Sequence, residues 1–287
     1  MIAITGAGGK TGRALVQALA RRGVAARAVV RSLTGSDELR ALGAADVAQA
    51  DFADVARLAG SFAGAAAVYH ICPNMHPAEV EIAGYVVAAA RRAGVQRIVY
   101  HSVLHPQVEA MPHHWQKMRV EEMLFTAGLN YTILQPAAYM QNLLAYLPAV
   151  CGEGVYRVPY AAHTRLGMVD LDDVAAAAAA VLDGPDHAGA TYELANGEAF
   201  SQDDVVAMLS ELLGRHVRLE VIPRLEWASA ARAGGLPAYA VETIFRMFEY
   251  YEAYGFWGNG TVLAALLGRE PITLRAWLQR YLPDYCP

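Results

Sequence analysis

Near the start of the chain, residues 2–12 read IAITGAGGKTG. A short apolar run leads into a turn with glycines at Gly6, Gly9 and Gly12, and a segment of helical period follows. This spacing is typical of the turn that binds a dinucleotide pyrophosphate between the first strand and first helix of a doubly wound sheet. Gly6 would allow the tight turn, Gly9 would let backbone N–H groups approach the pyrophosphate, and Gly12 would let the helix lie close to the strand.

The rest of the turn contributes Gly8, Lys10 and Thr11 to the expected cofactor site. Gly9-Lys10-Thr11 also looks like the end of a Walker A loop. That motif needs another glycine five positions before Gly9, where this chain has Ile4 inside the predicted strand. We therefore exclude a nucleoside triphosphate site of that kind.

Outward from this turn, short β-branched or apolar runs alternate with segments of helical period, which predicts parallel strands joined by crossover helices. The predicted strands are 2–5, 26–30, 45–49, 66–71, 97–102, 131–135 and 191–195. The predicted helices include 12–22, 54–60, 79–93, 116–127 and 172–182. The pattern indicates an α/β fold with a Rossmann-like doubly wound parallel sheet.

The rhythm changes after Pro136. We expect 1–150 to form the dinucleotide-binding Rossmann domain, with 166–196 rejoining it, and 151–165 and 197–287 to form a smaller, mostly helical substrate lobe. The clearest helices of that lobe are 236–254 and 259–267. Its dense aromatic side chains would suit a flat, apolar, conjugated substrate, although helical spacing does not separate a pocket wall from a core.

Composition narrows the function classes. The chain has 287 residues, with 23 basic and 28 acidic groups for a net charge of −5, and 55% of its residues are hydrophobic. The absence of a basic stripe argues against nucleic acid as a partner. The longest purely apolar run, 174–182, has nine residues and is too short to cross a bilayer. We expect a small-molecule enzyme with no membrane partner.

The cysteines bear on the compartment. Cys72, Cys151 and Cys286 are odd in number and far apart, so the sequence predicts neither a disulfide framework nor a thiolate metal site. A reducing compartment fits, and the chain opens on a strand without a basic leader. We expect a cytoplasmic protein, either a monomer or a homodimer.

The end of the second predicted strand decides between the nicotinamide cofactors. An acidic residue there holds the free ribose of NAD, but no Asp or Glu occurs between Thr11 and Gly35. Arg31 stands in that place and favours the 2′-phosphate of NADP(H), with Lys10 adding charge nearby. After the third strand, Asp51 and Phe52 would contact the adenine ring; alternatively, Asp51 caps the following helix.

Several motifs now point to one family. They are the glycine turn, Arg31, the stretch KMRVE at 117–121, and the stretch GLNYTILQP at 128–136 running on to Asn142. Looser matches are VDLDDV at 169–174 and LGREP at 267–271. The chain resembles the NmrA-like group of atypical short-chain dehydrogenases/reductases over nearly its whole length. That group includes NADPH-dependent quinone reductases, isoflavone reductase-like enzymes and catalytically silent redox sensors.

The resemblance implies catalytic candidates but no single mechanism. Ordinary short-chain dehydrogenases combine a serine after the fifth strand with Tyr-x-x-x-Lys on the next helix. Here Ser102 and Lys117 are present, but His113 replaces the tyrosine. Either His113 or His114 replaces the proton donor, or Lys117 alone binds ribose and acts as acid and base as in the isoflavone reductase-like branch, or quinone reduction needs no specific donor.

The resemblance also places loops beside the nicotinamide. It implies contacts from Cys72 and Pro73 after the fourth strand, and from Pro136, Tyr139 and Asn142 after the sixth. Cys72 is better interpreted as a small buried hydrophobe than as a nucleophile. Six histidines crowd this part of the sequence, but no cysteine or carboxylate completes a recognisable metal set, so we expect no metal. The six are His70, His76, His101, His105, His113 and His114.

The expected function is reduction of a quinone or similar planar conjugated acceptor by NADPH. The missing tyrosine leaves a second interpretation, a non-catalytic module that senses NADP(H) and regulates a protein partner. A third is a biosynthetic isomerase or dehydratase of the same family, which would use the nucleotide without net redox change.

Overall fold

The computed structural model describes residues 1–286, which divide into two compact units. The first unit consists of Met1–Gln107, His113–Pro136 and Leu171–Glu193. The second consists of Val108–Pro112, Ala137–Asp170 and the chain from Leu194 onward. The chain thus belongs briefly to the second unit at Val108–Pro112, leaves the first unit again after Pro136 and returns to it at Leu171.

Strands and helices alternate through most of the first unit and are numbered in chain order within each type. The strands are β1 (Ile2–Thr5), β2 (Ala26–Val30), β3 (Asp46–Gln49), β4 (Ala67–His70), β5 (Arg97–His101), β6 (Asn130–Pro136), β7 (Ala138–Tyr139), β8 (Val155–Val158), β9 (Met168–Val169), β10 (Ala190–Leu194) and β11 (Arg218–Val221). The helices are α1 (Lys10–Arg21), α2 (Ser36–Ala41), α3 (Val55–Phe62), α4 (Glu79–Arg92), α5 (Pro112–Phe125), α6 (Leu147–Glu153), α7 (Leu171–Asp183), α8 (Gln202–Leu213), α9 (Arg224–Ala233), α10 (Ala238–Tyr254), α11 (Thr261–Leu267) and α12 (Leu274–Tyr285), with a 3₁₀ helix at Met140–Ala145.

A seven-stranded sheet organises the first unit within residues 1–286. Its strand order is β10-β6-β5-β4-β1-β2-β3, and the neighbouring strands from β1 to β6 pair in parallel. The order reverses between β1 and β4, and in such sheets ligands bind beyond the carboxyl ends of the strands at that point. The predicted α/β Rossmann-like fold is confirmed.

Local sequence signals predicted several helix ends in this unit. Gly23, Gly94 and Gly128, each after a predicted helix, have φ values of +71°, +73° and +66°. Glycine adopts this left-handed conformation without the strain that a Cβ would add, so it ends each helix cleanly. The predicted strand at 191–195 is observed as β10, which lies beside β6 in the sheet.

The second unit is built around a different core. Its apolar cluster includes Met140, Tyr156, Val205 and the fully buried Trp277. Two small sheets pair β8 with β11 and β7 with β9, both in parallel. The predicted helices at 236–254 and 259–267 are observed as α10 and α11, each beginning two residues later.

One prediction about the cysteines is wrong. Cys151 at the end of α6 and Cys286 after α12 form a disulfide, with their Cα atoms 5.1 Å apart although 135 positions separate them in sequence. Cys72 is a buried free thiol. The pairing depends on how α6 and α12 fold together in space, which spacing along the chain does not reveal.

Over residues 1–286, no helix is both long enough and apolar enough to cross a membrane.

Candidate active site

The glycine turn has the shape that its sequence predicts. Gly6 has a φ of +63°, and a Cβ there would lie 2.9 Å from the carbonyl oxygen of Ile71. A Cβ on Gly12 would lie 2.5 Å from Ala7 Cα, so only glycine allows α1 to lie this close to the turn. At Gly9 a Cβ would meet Gly6 O at an ordinary 3.4 Å. Packing explains the glycines at 6 and 12, and leaves Gly9 open for a ligand.

The N-terminus of α1 suits an anion. Gly9 is the N-cap residue and provides no side-chain hydrogen bond, and the first turn contains no acidic residue. Lys10 and Thr11 begin the helix, and Gly8 lies beside the end of β2, where its Cβ would be 3.8 Å from Val30. Backbone N–H groups and the helix dipole at such an end attract a phosphate.

Arg31 follows β2 and is exposed. Because β1 and β2 are parallel neighbours, Arg31 and the glycine turn lie at the same edge of the sheet. The Arg31 carbonyl accepts a hydrogen bond from Gln49 Nε2 at 3.0 Å. Within the described chain its guanidinium has no ion pair or hydrogen bond, so nothing there competes for an added phosphate.

Asp51 and Phe52 lie after β3. Asp51 accepts a hydrogen bond from the backbone N–H of Ala53 at 2.9 Å, whereas the N-cap of α3 is Asp54, which accepts from Arg57 N at 3.0 Å. The alternative that Asp51 caps this helix is therefore wrong. The Phe52 ring packs edge-on against His70 at 5.9 Å between ring centroids.

Lys117 lies in a buried cluster, not on an exposed helix face. Its Nζ donates to Glu79 Oε1 at 2.6 Å and to the carbonyl oxygen of His101 at 3.0 Å, and it lies 3.4 Å from the Tyr100 hydroxyl. Tyr100 donates its own hydroxyl hydrogen to Glu79 Oε1 at 2.8 Å. Helix α5 thus brings a lysine against a carboxylate from α4 and the carboxyl end of β5.

His113 lies one helical turn before Lys117 and is also buried, because α5 begins at Pro112, four residues earlier than predicted. Its Nδ1 is 3.6 Å from Glu79 Oε2. This distance is longer than a direct hydrogen bond. Within residues 1–286, Glu79 Oε2 accepts no hydrogen bond.

Burial controls the charge of the histidines. Desolvation, with a further contribution from the Lys117 cation, lowers the pKa of His113 to about 3. Burial likewise lowers the pKa of His70, His101 and His114 to about 3. These rings are neutral near pH 7, so His113 has no excess proton to give to a substrate there.

Tyr100 does not replace the missing catalytic tyrosine. Its hydroxyl lies near Lys117, as the tyrosine of ordinary short-chain dehydrogenases would. Burial and the neighbouring Glu79 carboxylate, however, raise the pKa of Tyr100 well above 10. A catalytic tyrosine needs the opposite shift, and this one is fully buried.

Ser102 makes a separate buried contact. Its hydroxyl donates to Glu121 Oε1, and Gln135 Nε2 donates to both oxygens of the same carboxylate, at 3.0 and 2.9 Å. Burial raises the pKa of Glu121, and the hydrogen bonds from Ser102 and Gln135 oppose that shift. Through these contacts Ser102 joins the end of β5 to α5 and β6.

Of the other residues expected to contact the cofactor, some belong to the first unit and some to the second. Cys72 is buried after β4, and burial together with Glu79 raises the pKa of its thiol, so it is not an activated nucleophile. Pro73 is exposed beside it, and Pro136 ends β6. Tyr139 on β7 and Asn142 in the 3₁₀ helix belong to the second unit.

The crowded histidines do not form a metal centre. Across positions 1–286, no three His, Cys, Asp or Glu side chains are grouped so that they could hold a metal ion. His70 instead shares a hydrogen bond with Thr5 Oγ1 at 2.9 Å, and His101 shares one with the Tyr69 hydroxyl at 2.7 Å. These contacts give the rings roles in the fold.

Sequence reasoning missed Glu79, Tyr100 and Glu121. Glu79 looks like an ordinary acidic residue in the first turn of a helix, where it would favour the helix dipole from an exposed position. No local spacing connects it with Lys117, 38 positions later. A charged residue on the apolar side of a predicted helix was the available signal, since Glu79 shares its face with the buried Ile82 and Ala83.

The chain is similar to known proteins over most of its length. A family model described as the NmrA-like family matches residues 1–278. Quinone oxidoreductase 2 of Escherichia coli is 30% identical over 276 residues, which cover 96% of each chain. The NAD(P)H azoreductase of Xenophilus azovorans is 29% identical over 258 residues, 86% of each chain. The crystal structure of an NADPH-dependent quinone oxidoreductase from Escherichia coli in complex with NADPH superimposes with a TM-score of 0.86, at 28% identity and 99% coverage of both chains.

Proposed function

Because the chain belongs to the NmrA-like family, we propose that it is an NADPH-dependent reductase of quinones or similar planar conjugated acceptors. The observation that carries the proposal is the end-to-end likeness to quinone oxidoreductase 2, at 30% identity. The glycine turn and Arg31 support the same cofactor independently, since both lie at the edge of the sheet where a dinucleotide binds.

The residues present fit this cofactor. Gly12 lets α1 begin close to the turn, and Gly9 adds no side chain there, so the backbone N–H groups at the start of α1 would hold the pyrophosphate. Arg31 would bind the 2′-phosphate through charge-assisted hydrogen bonds. When bound, NADPH supplies the hydride.

Lys117 would act through its charge. Two-electron reduction of a quinone takes one hydride and one proton, and negative charge develops on the quinone oxygen before the proton arrives. A buried ammonium acts on such a charge with little screening by water, although the Glu79 carboxylate 2.6 Å away offsets part of its positive charge. Neutral His113 is a poor acid near pH 7, so we propose that water delivers the proton.

A turnover assay tests this function. We expect NADPH absorbance to fall when the purified protein meets some member of a quinone panel, and to stop falling in Lys117→Ala. In calorimetry, Arg31→Ala should weaken NADPH binding by about 10- to 100-fold, the worth of a hydrogen bond to a charged group, and leave NADH binding unchanged. A flat trace with every quinone contradicts the reductase, and equal binding of both cofactors contradicts the role of Arg31.

A second candidate function is favoured because neither Tyr100 nor His113 is an effective proton donor near pH 7. Tyr100 is tied to Glu79 with a raised pKa, and His113 is neutral, so the site lacks an evident acid. The alternative is a module that senses the ratio of NADP⁺ to NADPH and binds a protein partner. It requires a clear affinity difference between the two cofactor forms, no turnover, and a partner that co-purifies.

We also propose a cytoplasmic location, where NADPH is plentiful, and a monomer or homodimer. The Cys151–Cys286 pair offers a direct check, because a reducing cytoplasm keeps most cysteine pairs as thiols. Thiol trapping in intact cells should label both residues. A fully oxidised pair argues for an oxidising compartment, and light scattering gives the oligomeric state.

A further inference from the structure

Glu79 belongs neither to the expected cofactor site nor to the residues that the family resemblance implies. It is fully buried at the start of α4. Its Oε1 accepts hydrogen bonds from both Lys117 and Tyr100, at 2.6 and 2.8 Å. Its Oε2 accepts none among the described residues and faces His113 Nδ1 at 3.6 Å. An unsatisfied carboxylate oxygen destabilises a fold, so stability alone does not account for this arrangement.

We propose that Glu79 is a positioning residue of the reductase site, which keeps Lys117 fixed as a cation and directs the Nδ1–H of His113 towards itself. The other ring nitrogen, Nε2, is then a hydrogen-bond acceptor for a hydroxyl group of cofactor or substrate. This inference rests on the proposed function and adds a residue to it.

The tautomer follows from the charges. A neutral imidazole carries one N–H and one lone pair. A carboxylate facing Nδ1 attracts the N–H to that nitrogen and repels a lone pair there. The 3.6 Å separation is slightly longer than a hydrogen bond, and such contacts often tighten when a site is filled.

The charge of Lys117 depends on the same carboxylate. Titratable groups face the ammonium from four elements: His70 and Cys72 at the end of β4, Glu79 on α4, Tyr100 and His101 on β5, and His113, His114 and Glu121 on α5 itself. Among them, Glu79 is the carboxylate in direct contact with the ammonium. With a neutral side chain at position 79, the buried ammonium would lose the carboxylate that compensates its removal from water.

Steady-state kinetics of Glu79→Gln test the positioning role. We expect kcat to fall by about 10²-fold, the cost of a small misplacement, with little change in KM for the quinone. The kcat should also gain a new decline towards alkaline pH. Glu79→Asp keeps the charge and should restore the original pH profile. Glu81→Gln is the matched control, since Glu81 is exposed on the same helix and bonds only within it, to Tyr85. A loss in Glu79→Gln that is equal at every pH, or no loss, overturns the proposal.

Nitrogen NMR of the ligand-free protein gives a readout that does not require turnover. The His113 ring should carry its proton on Nδ1 in the wild type and shift towards the Nε2–H tautomer in Glu79→Gln. If the wild type reduces no quinone but shows this tautomer change, the reductase function fails and the arrangement by Glu79 stands. An Nε2–H ring in the wild type overturns the inference, even where the variant does not fold.

The double variant Glu79→Gln/Lys117→Met tests whether the two buried charges act as a pair. Removing both should restore the thermal stability that Glu79→Gln loses, because no uncompensated ion remains. The readout is the melting temperature, since the loss of Lys117 keeps kcat low in any case. A melting temperature no higher than that of Glu79→Gln would show that the carboxylate does not compensate the Lys117 charge, and would overturn the proposal.

Discussion

The cluster around Lys117 and the core of the second unit are both buried, but the first consists of polar and charged side chains and the second of apolar ones. The cluster encloses a lysine, a carboxylate and several histidines at the carboxyl edge of a sheet. The second unit's core holds Trp277, Leu278 and Val205, and a disulfide closes the chain nearby. Buried ion pairs contribute little to stability compared with apolar packing of the same volume. This difference indicates that the second core contributes more to stability, and it supports the functional role proposed for the Lys117 cluster.

Acidic pH should lower the stability of the first unit more than that of the second. His70, His101, His113 and His114 belong to that unit and have pKa values of about 3, against 6.5 in an unfolded chain. Between these values the unfolded chain binds more protons, so the stabilisation is complete above pH 6.5 and is lost as pH falls towards 3. One such ring accounts for on the order of 5 kcal/mol over that window. As pH is lowered, hydrogen exchange should show that the first unit opens at a higher pH than the second. The reverse order would contradict the comparison.

Trp277→Ala should be the most damaging single substitution in the second unit. The side chain is fully buried and packs against the tilted ring of Tyr281, with 4.6 Å between the ring centroids. The cavity left behind should cost about 3–5 kcal/mol in urea unfolding. Trp257→Ala is the control, because that tryptophan is 46% exposed and its loss should cost far less. Equal losses would mean that packing does not dominate this unit.

Breaking the disulfide should weaken the second unit alone. Cys151→Ser should lower the free energy of unfolding by about 2–4 kcal/mol, since the link closes a long loop. Dithiothreitol should lower the melting temperature of the wild type and leave that of Cys151→Ser unchanged. A melting temperature insensitive to reductant would show that the link adds no stability.

Gly12→Ala should disturb the cofactor turn more than the fold. The added Cβ would lie 2.5 Å from Ala7 Cα, so the start of α1 must shift, at a cost of about 1–3 kcal/mol. NADPH affinity measured by calorimetry should fall with it. Gly84→Ala in α4 is the matched control, where a Cβ meets no atom within 4 Å. That change should add up to about 1 kcal/mol of stability, because alanine favours a helix.

An exposed ion pair should matter least. Arg13 Nη2 and Glu38 Oε2 are 2.6 Å apart, and the Glu38 side chain is largely exposed. Glu38→Gln should change the free energy of unfolding by less than about 1 kcal/mol, and the difference should shrink in high salt. An effect as large as that of Glu79→Gln on thermal stability would remove the distinction between buried and exposed pairs in this protein.

Local patterns explain what could be read from the sequence in advance. The turn at Gly6 and Gly12, the glycine caps such as Gly94, and the alternation of strands and helices each depend on neighbours within a few positions. The position of Arg31 directly after β2 could be predicted because it is set by the end of one strand, and its contact with the 2′-phosphate stays a prediction. These features use backbone geometry and hydrophobic period, which the chain carries locally.

The rest depends on contacts between distant segments. Helix α5 begins four residues before the predicted start, and this places His113 in a buried helical turn. Glu79 meets Lys117, and Cys151 meets Cys286, only because helices far apart in sequence pack together. The aromatic residues of the lobe were ambiguous for the same reason: Tyr251 is buried and Tyr254 is exposed, although both lie on α10.

By itself, the sequence determined the sheet, the glycine turn and the family, because each is encoded by short-range spacing and residue type. Only the tertiary structure decided the environment of the charged groups: which lysine is buried, which carboxylate meets it and which histidines stay neutral. Solvation and Coulomb interactions depend on distance in space and on exclusion of water, and neither quantity is written in the order of residues.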